Sequence, residues 1–259
     1  MSYELITLEY EGDFATITMN YPQRRNALSL KHMLELTSAF REVGESTTRG
    51  VMLAANGPVF SSGHNLAEMV DQDLVAMRKL LKVCTTLMNT IQEIPQPVLA
   101  RVHGLATAAG CQLVATCDLA IASTEAAFAT PGVKNGWLCT TPMVAVARNI
   151  GRKRALEMLL TGDRIDAQTA ADWGLVNKVV PPEQLVEESQ RLLEAVTRGS
   201  FIATGIGKQA FYAQIGLAQP QAYDYAMEVM AATALIPDAQ EGFHAFLEKR
   251  KAQFNRPLG

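Results

Sequence analysis

Three segments rich in glycine, alanine and serine stand where the chain leaves a predicted strand. They are FSSGHNL at 60–66, VHGLATAAGCQ at 102–112 and FATPGVKNGW at 128–137. A glycine between a strand and a helix lets backbone N–H groups turn toward a ligand, and small side chains leave the helix N-terminus open. The free N–H groups and the dipole of that terminus favour developing negative charge. The segments therefore predict stabilisation of negative charge by backbone donors, although each one alone also suits a structural turn.

His64 is the leading candidate for proton transfer, because a histidine near its ordinary pKa of about 6.5 can accept or donate a proton. The alternative is that its side chain only packs beside a ligand while its backbone N–H does the work. Cys139 has no activating base nearby in the sequence, and the four cysteines lack CxxC spacing, so we expect inert, reduced thiols. The sequence shows no cluster of metal ligands and no dinucleotide fingerprint, so we expect neither a metal nor a redox cofactor.

The elements that must position these segments alternate between strands and helices in the first part of the chain. Strands are predicted at 4–10, 14–19, 50–55, 98–102 and 119–122. Helices are predicted after Ser29, over 74–91 and between the last two strands. This alternation predicts an α/β fold whose sheet is covered on both faces.

The chain from about Pro142 onward is predicted to be mainly helical. Helices are expected at 155–160, 167–173, 183–198, 201–214, 222–235 and 239–253, with one short strand at 176–180. We place a soft boundary near Gly199, which gives an α/β core over 1–199 and a helical region over 200–259. Phe243, Phe246 and Leu247 recur at helical spacing in the last helix, and such a face suits an interface between subunits.

The composition is that of an ordinary globular chain and argues against nucleic acid or a membrane as a partner. The 259 residues carry a formal charge of −3, so no basic face for nucleic acid is expected. No stretch reaches the roughly 18 apolar residues of a membrane helix. The N-terminus lacks the pattern of an export signal or of an Arg- and Ser-rich transit peptide. We therefore expect a cytoplasmic protein.

In their order and spacing, several segments resemble the crotonase superfamily, the enoyl-CoA hydratase/isomerase family. The matching segments are YPQRRNALS at 21–29, FSSGHNLAEM at 60–69, VHGLATAAGCQLVATCDLAIAS at 102–123, LTGDRIDAQTAADWGLVNKVVP at 160–181 and EGFHAFLEKRK at 241–251. The resemblance covers nearly the whole chain. It implies a crotonase-like spiral of ββα units followed by a C-terminal helical trimerisation region, with trimers that often pair into hexamers.

The resemblance also implies an acyl-CoA thioester as substrate or ligand, with a role in fatty acid metabolism. Two backbone N–H groups, which by motif position belong to His64 and Ala109, would hold the thioester oxygen and stabilise an enolate-like intermediate. Residues expected to contact the acyl-CoA are Arg24, Ala27, Ser62, Gly63, Asn65, Leu66, Gly110, Trp137 and Lys249. The cationic side chains among them would meet the CoA phosphates, or else they are solvated surface charges.

Two positions depart from the hydratase pattern. The glutamates that position and activate water in hydratases correspond here to Gln112 and Gly132. Hydration and double-bond isomerisation need a proton acceptor and a donor, whereas a glutamine has no titratable proton and can only orient a ligand or water. We therefore expect weak hydratase activity. The alternatives are a non-catalytic acyl-CoA-binding protein or an acyl-CoA decarboxylase that uses His64; in that branch a tyrosine accompanies the histidine, and here its position aligns with Cys139.

Overall fold

The computed structural model of the chain describes residues 3–254. Its strands are β1 Ile6–Glu11, β2 Phe14–Met19, β3 Gly50–Ala55, β4 Val59–Ser61, β5 Val98–Val102, β6 Leu105–Thr107, β7 Leu119–Ser123, β8 Ala127–Ala129, β9 Ile165–Asp166 and β10 Lys178–Val180. Its helices are α1 Leu30–Gly44, α2 Leu74–Glu93, α3 Ala109–Thr116, α4 Thr140–Ile150, α5 Arg152–Thr161, α6 Ala167–Trp173, α7 Leu185–Val196, α8 Phe201–Gln214, α9 Gln219–Thr233 and α10 Pro237–Leu247.

The strands form two sheets, which together build a spiral. The larger sheet has the order β1-β2-β3-β5-β7-β10 and is parallel apart from the β1–β2 hairpin. The smaller sheet has the order β4-β6-β8-β9. The pairs β3/β4, β5/β6 and β7/β8 each give one strand to each sheet before the chain enters a helix. This arrangement confirms the predicted spiral of ββα units.

Local sequence signals explain where the first helices begin. The Ser29 hydroxyl accepts a hydrogen bond from the His32 backbone N–H at 3.2 Å and caps α1. The Asp73 carboxylate accepts from the Ala76 N–H at 2.8 Å and caps α2. Each cap satisfies one of the N–H groups that have no partner within the helix. The apolar face of α1 is buried, as its spacing predicts.

The helical second part differs from the sequence prediction at several helix ends. Helix α7 is shorter than predicted because residues 182–184 form a separate 3-10 turn. Helix α10 ends at Leu247, whereas the prediction extended it to 253. Helix α4 was not predicted; it carries Pro142 in its first turn, where a missing N–H costs little. No helix within residues 3–254 has the length and apolar character to cross a membrane.

The C-terminal helices meet the core through buried polar side chains on α8. The Lys208 ammonium pairs with the Asp118 carboxylate at 2.8 Å and donates to two backbone carbonyl oxygens. The Tyr212 hydroxyl donates to the same carboxylate at 2.7 Å. Helices α9 and α10 add many exposed apolar side chains, among them Phe246, which is 83% exposed. The division at Gly199 and the trimerisation role of this region stay predictions.

Candidate active site

A cavity of about 340 Å³ gathers the segments that the sequence singles out. Its lining residues are Arg24, Arg25, Ala27, Ser62, His64, Asn65, Leu66, Thr107, Ala108, Pro131, Gly132, Asn135, Trp137 and Cys139. The first signature and all three segments rich in small residues therefore meet at one place.

One wall of the cavity is the turn that carries His64. An isolated parallel bridge pairs His64 with Leu28. The Leu28 N–H donates to the Gly63 oxygen at 2.8 Å, and the Asn65 N–H donates to the Leu28 oxygen at 3.4 Å. Because the residues on either side of His64 make these bonds, and peptide groups alternate in direction along an extended strand, the His64 N–H is directed away from Leu28. It remains available for a ligand.

The facing wall is the start of α3. The Ala108 carbonyl accepts from the Gln112 N–H at 3.0 Å, while the first N–H groups of a helix have no partner within it. A Cβ on Gly63, which has a φ of +83°, would lie 3.1 Å from the Ala109 nitrogen. A Cβ on Gly110 would lie 2.5 Å from the Ser61 oxygen. Only glycines permit these approaches, which bring the His64 turn against the N-terminus of α3.

Asn26 anchors the first signature to this wall, a role that the sequence analysis missed. Its buried side chain accepts from the Tyr21 N–H at 2.8 Å and donates to the carbonyls of Asn56 and Val59. The Ser61 hydroxyl in turn donates to the Asn26 carbonyl at 2.8 Å. These bonds fix the loop that carries Arg24 and Ala27 to the cavity. The signal was a single polar residue within a loop, which no periodic pattern identifies.

His64 is a neutral imidazole in the folded protein. The residue is 8% exposed, and its Nε2 atom has no hydrogen-bond partner among the described residues. Burial lowers the pKa of His64 to about 4, although the negative charge of Glu68 acts in the opposite direction. Desolvation disfavours the charged form, so this pKa lies below the ordinary value of about 6.5 that the sequence analysis assumed. A role of the imidazole in proton transfer stays a prediction.

Gln112 lies on the first turn of α3 and is buried, with 4% of its surface exposed. Its Oε1 atom has no partner within residues 3–254. Side chains on a helix lean toward its N-terminus, and the N-terminus of α3 is the end that adjoins the cavity through Ala108. A buried polar atom without a partner is uncommon and marks a place for a ligand or water.

Gly132 cannot simply be regarded as a lost glutamate. A Cβ at this position would lie 2.1 Å from the Trp137 carbonyl oxygen and 2.8 Å from the Cys139 sulfur. The Trp137 N–H donates to the Gly132 oxygen at 2.9 Å and closes the loop over this residue. The backbone here has no room for any side chain. Burial also raises the pKa of the Cys139 thiol, which agrees with an inert residue.

Some predicted contacts lie behind the cavity or away from it. Gly63, Ala109, Gly110 and Gln112 are buried and support the wall rather than line it. Lys249 follows α10 and is not among the lining residues. Within residues 3–254 no three His, Cys, Asp or Glu side chains are grouped closely enough to hold a metal ion. The contact role of Lys249 stays a prediction.

Comparisons with known proteins give similar sequences and similar structures. The sequence model of the enoyl-CoA hydratase/isomerase family matches residues 9–257. The mouse mitochondrial enoyl-CoA hydratase domain-containing protein 3 is 43% identical over 95% of this chain and 83% of its own length. An enoyl-CoA hydratase from Mycobacterium smegmatis superposes with a TM-score of 0.94 at 43% identity, over 96% of this chain and 98% of that one. The human enoyl-CoA hydratase domain-containing protein 3 superposes with a TM-score of 0.93 at 41% identity, over 96% of this chain and 100% of that one.

The relatives correct one expectation. Curated relatives from mouse, Xenopus laevis and human, each 43% identical, are named as mitochondrial proteins. They contradict the cytoplasmic location expected from the N-terminal pattern. The prediction failed because it rested on the lack of a leader pattern in a few residues, which carries little information about location.

The family model spans nearly all of the chain, and the relatives match it over both sequence and fold. The walls of the cavity are built from the same segments whose order and spacing resemble that family. The chain is therefore a member of the enoyl-CoA hydratase/isomerase family and has the crotonase fold.

Proposed function

We propose that the chain binds an acyl-CoA thioester in the cavity and holds the thioester oxygen between the backbone N–H groups of His64 and Ala109. The observation that carries this proposal is the contact between the His64 turn and the start of α3 through Gly63. Two preorganised donors aimed at one oxygen stabilise an enolate-like charge, and each is typically worth about 3 to 4 kcal/mol in the transition state. These backbone donors do not depend on the two hydratase carboxylates, so the replacements at Gln112 and Gly132 do not remove them.

The remaining lining residues suit the other parts of an acyl-CoA. Arg24 and Arg25 supply positive charge for the CoA phosphates. Leu66 and Trp137 are half-exposed apolar side chains at the same cavity and suit the acyl group. The Lys249 ammonium would contact the phosphates of a CoA bound to a neighbouring subunit. The family membership and this ligand class favour a role in fatty acid metabolism.

Hydration is expected to be weak. Gln112 has no proton to exchange, Gly132 has no space for a carboxylate, and His64 is neutral with a pKa of about 4. The closed loop over Gly132 favours a second candidate, a binding protein without catalysis, because the loop leaves no place for the second acid. Decarboxylation with His64 is the third outcome that an assay should cover.

A pair of ligands tests the hydrogen bonds to the thioester oxygen without any mutation. Butyryl-CoA has a thioester carbonyl, whereas S-butyl-CoA is the thioether that lacks it. We expect calorimetry to show about tenfold or greater weakening for the thioether, since it cannot accept from either amide. Equal affinities would contradict the proposed oxyanion site, and lack of binding by both would contradict acyl-CoA binding altogether.

Turnover assays separate the enzyme from the binding protein. We expect crotonyl-CoA hydration far below the roughly 10 per second of a typical enzyme, with 3-enoyl-CoA and methylmalonyl-CoA as the parallel isomerase and decarboxylase substrates. Gln112→Glu should raise hydration by about tenfold or more, because it supplies a carboxylate for proton transfer. Gln112→Leu is the matched control and should give no gain. Ordinary hydration by the wild type would contradict the expectation of weak hydratase activity.

A further inference from the structure

Ala108 has a backbone conformation that alanine rarely adopts. Its φ is 52° and its ψ is −121°. A positive φ is uncommon outside glycine, and this ψ lies outside the left-handed helical region that other residues tolerate. Such strain persists only where the surroundings hold it in place, and it is concentrated at functional sites. Ala108 lines the cavity directly beside the start of α3.

Hydrogen bonds hold Ala108 on both sides. Its N–H donates to the Ala129 carbonyl of β8 at 2.9 Å, and its own carbonyl accepts from the Gln112 N–H at 3.0 Å. The carbonyl and the following N–H of a trans peptide point in opposite directions. Because the Ala108 carbonyl points along α3, the Ala109 N–H of the same peptide points out of the helix N-terminus. The ψ of Ala108 therefore sets the direction of that donor.

The methyl group of Ala108 lies against Gly63, the residue before the other donor. The position that a Cβ on Gly63 would occupy lies 2.8 Å from the Ala108 Cβ and 2.9 Å from the Thr107 oxygen. Gly63 precedes His64, so the methyl group packs against the turn that carries the second N–H. One residue thus fixes the aim of the Ala109 amide by its backbone and limits the approach of the His64 turn by its side chain.

We infer that Ala108 is a positioning residue, whose strained backbone and methyl group set the aim and the separation of the His64 and Ala109 amides. This inference rests on the proposed function, since it concerns how the two donors meet one thioester oxygen. Replacement by glycine should relieve the strain, because glycine adopts a positive φ without a steric cost. The same replacement should loosen both donors. Stability and oxyanion binding should therefore change independently.

The test uses the stretching frequency of a ¹³C-labelled thioester carbonyl in bound butyryl-CoA, which falls when the oxygen accepts strong hydrogen bonds. In Ala108→Gly we expect the shift to shrink to less than half and binding to weaken about tenfold, while the melting temperature does not fall. Ala108→Ser retains a Cβ and should keep most of the shift. Asp71→Gly is the control, since Asp71 also has a positive φ, of 56°, but is exposed and does not line the cavity.

The outcomes distinguish the positioning role of Ala108 from the proposed function on which it rests. A full shift and unchanged affinity in Ala108→Gly would overturn the positioning role and leave the proposed function intact. A loss that parallels unfolding, or an equal loss in Ala108→Ser, would also overturn it, because it would indicate a merely structural residue or a need for alanine as such. Absence of any shift in the wild type with bound butyryl-CoA would overturn the proposed function and this inference with it.

Discussion

Gly132 is the residue where local geometry most restricts the chemistry of the cavity. The loop that follows it places the Trp137 carbonyl 2.1 Å from where a Cβ would lie. A side chain here must displace backbone rather than the flexible end of a neighbour. Restoring a hydratase glutamate at this position therefore requires a different loop conformation as well as a different residue.

We expect Gly132→Ala to destabilise the fold by about 1 to 3 kcal/mol or more, the usual cost of overpacking a rigid site. Chemical unfolding measures this loss. Gly207→Ala is the matched control, since no atom lies within 4 Å of a Cβ there and alanine favours the interior of α8. Equal stability of the two variants would show that the loop can open without cost.

The buried imidazole of His64 predicts a dependence of stability on acid. Its pKa in the folded protein is about 4, below the unfolded value of about 6.5. The unfolded chain therefore binds more protons between these values, and stability present above pH 6.5 is lost as the pH falls toward 4. Burial also lowers the pKa of His32, which acts in the same direction.

Between pH 7 and pH 4.5, the free energy of unfolding should fall in both proteins. We expect the fall to be about 2 kcal/mol smaller in His64→Gln than in the wild type. Urea unfolding at both pH values measures the difference, and the binding of butyryl-CoA should stay constant from pH 6 to pH 8. Identical pH profiles of stability for the two proteins would contradict a buried neutral histidine. An affinity that changes near pH 6.5 would contradict the lowered pKa.

At the scale of elements, a buried polar cluster joins helix α8 to the core. Asp118 accepts from the Val98 N–H, the Tyr212 hydroxyl and the Lys208 ammonium. Removing one member of a buried ion pair leaves an uncompensated charge, which costs about 3 to 5 kcal/mol. The cluster therefore contributes to the attachment of α8 to the spiral.

We expect Lys208→Met to destabilise the protein by about 3 to 5 kcal/mol and Tyr212→Phe by about 2 kcal/mol. The double variant Asp118→Asn with Lys208→Met should cost less than the sum of its single changes, since neither charge is then left alone. Lys79→Met, at an exposed lysine of α2, is the control and should change little. Additive losses would indicate that the pair makes no favourable contact.

Helices and strands with a strong local sequence pattern were predictable. Short strands that form only by pairing with neighbouring strands were not. The bounds of β3, α6 and α8 match the prediction. A compact apolar run marks β3 directly. The smaller sheet was missed: β4, β6 and β8 have three residues each, and small side chains such as those of Leu105–Thr107 show no alternation. Such short strands exist only because the spiral places them beside one another.

The same distinction holds for the candidate site. The segments rich in small residues could be recognised from the sequence, and the structure brings them together at the cavity. Their role as backbone donors stays a prediction. Neither the closed space around Gly132 nor the anchoring by Asn26 was predictable. The first depends on how the loop to Trp137 folds back on Gly132, and the second depends on β4, which reaches Asn26 only through tertiary structure. The lowered pKa of His64 likewise follows from burial that the sequence does not display.

At the scale of the whole molecule, the C-terminal helices expose several large apolar side chains. The most exposed of these side chains are Tyr223, Met227, Met230, Leu235, Phe246 and Leu247. Large apolar patches mark interaction surfaces. A homotrimer or a hexamer formed from two trimers is the assembly that we propose for this face.

We expect light scattering at micromolar concentration to give a mass of three or six chains. Phe246→Glu should shift the protein toward smaller species, because it places a charge on the apolar face. Leu34→Glu, at a half-exposed position on α1, is the matched control and should leave the mass unchanged. A stable wild-type monomer of 28.1 kDa would contradict the proposed assembly.

The most direct test of the proposed oxyanion site is a crystal structure of the protein with butyryl-CoA bound. We predict that the thioester oxygen lies within about 3.1 Å of the backbone nitrogens of both His64 and Ala109. We also predict that the acyl group lies in the cavity near Trp137. A thioester oxygen distant from both amides would contradict the proposed chemistry, whatever the similarity of the fold.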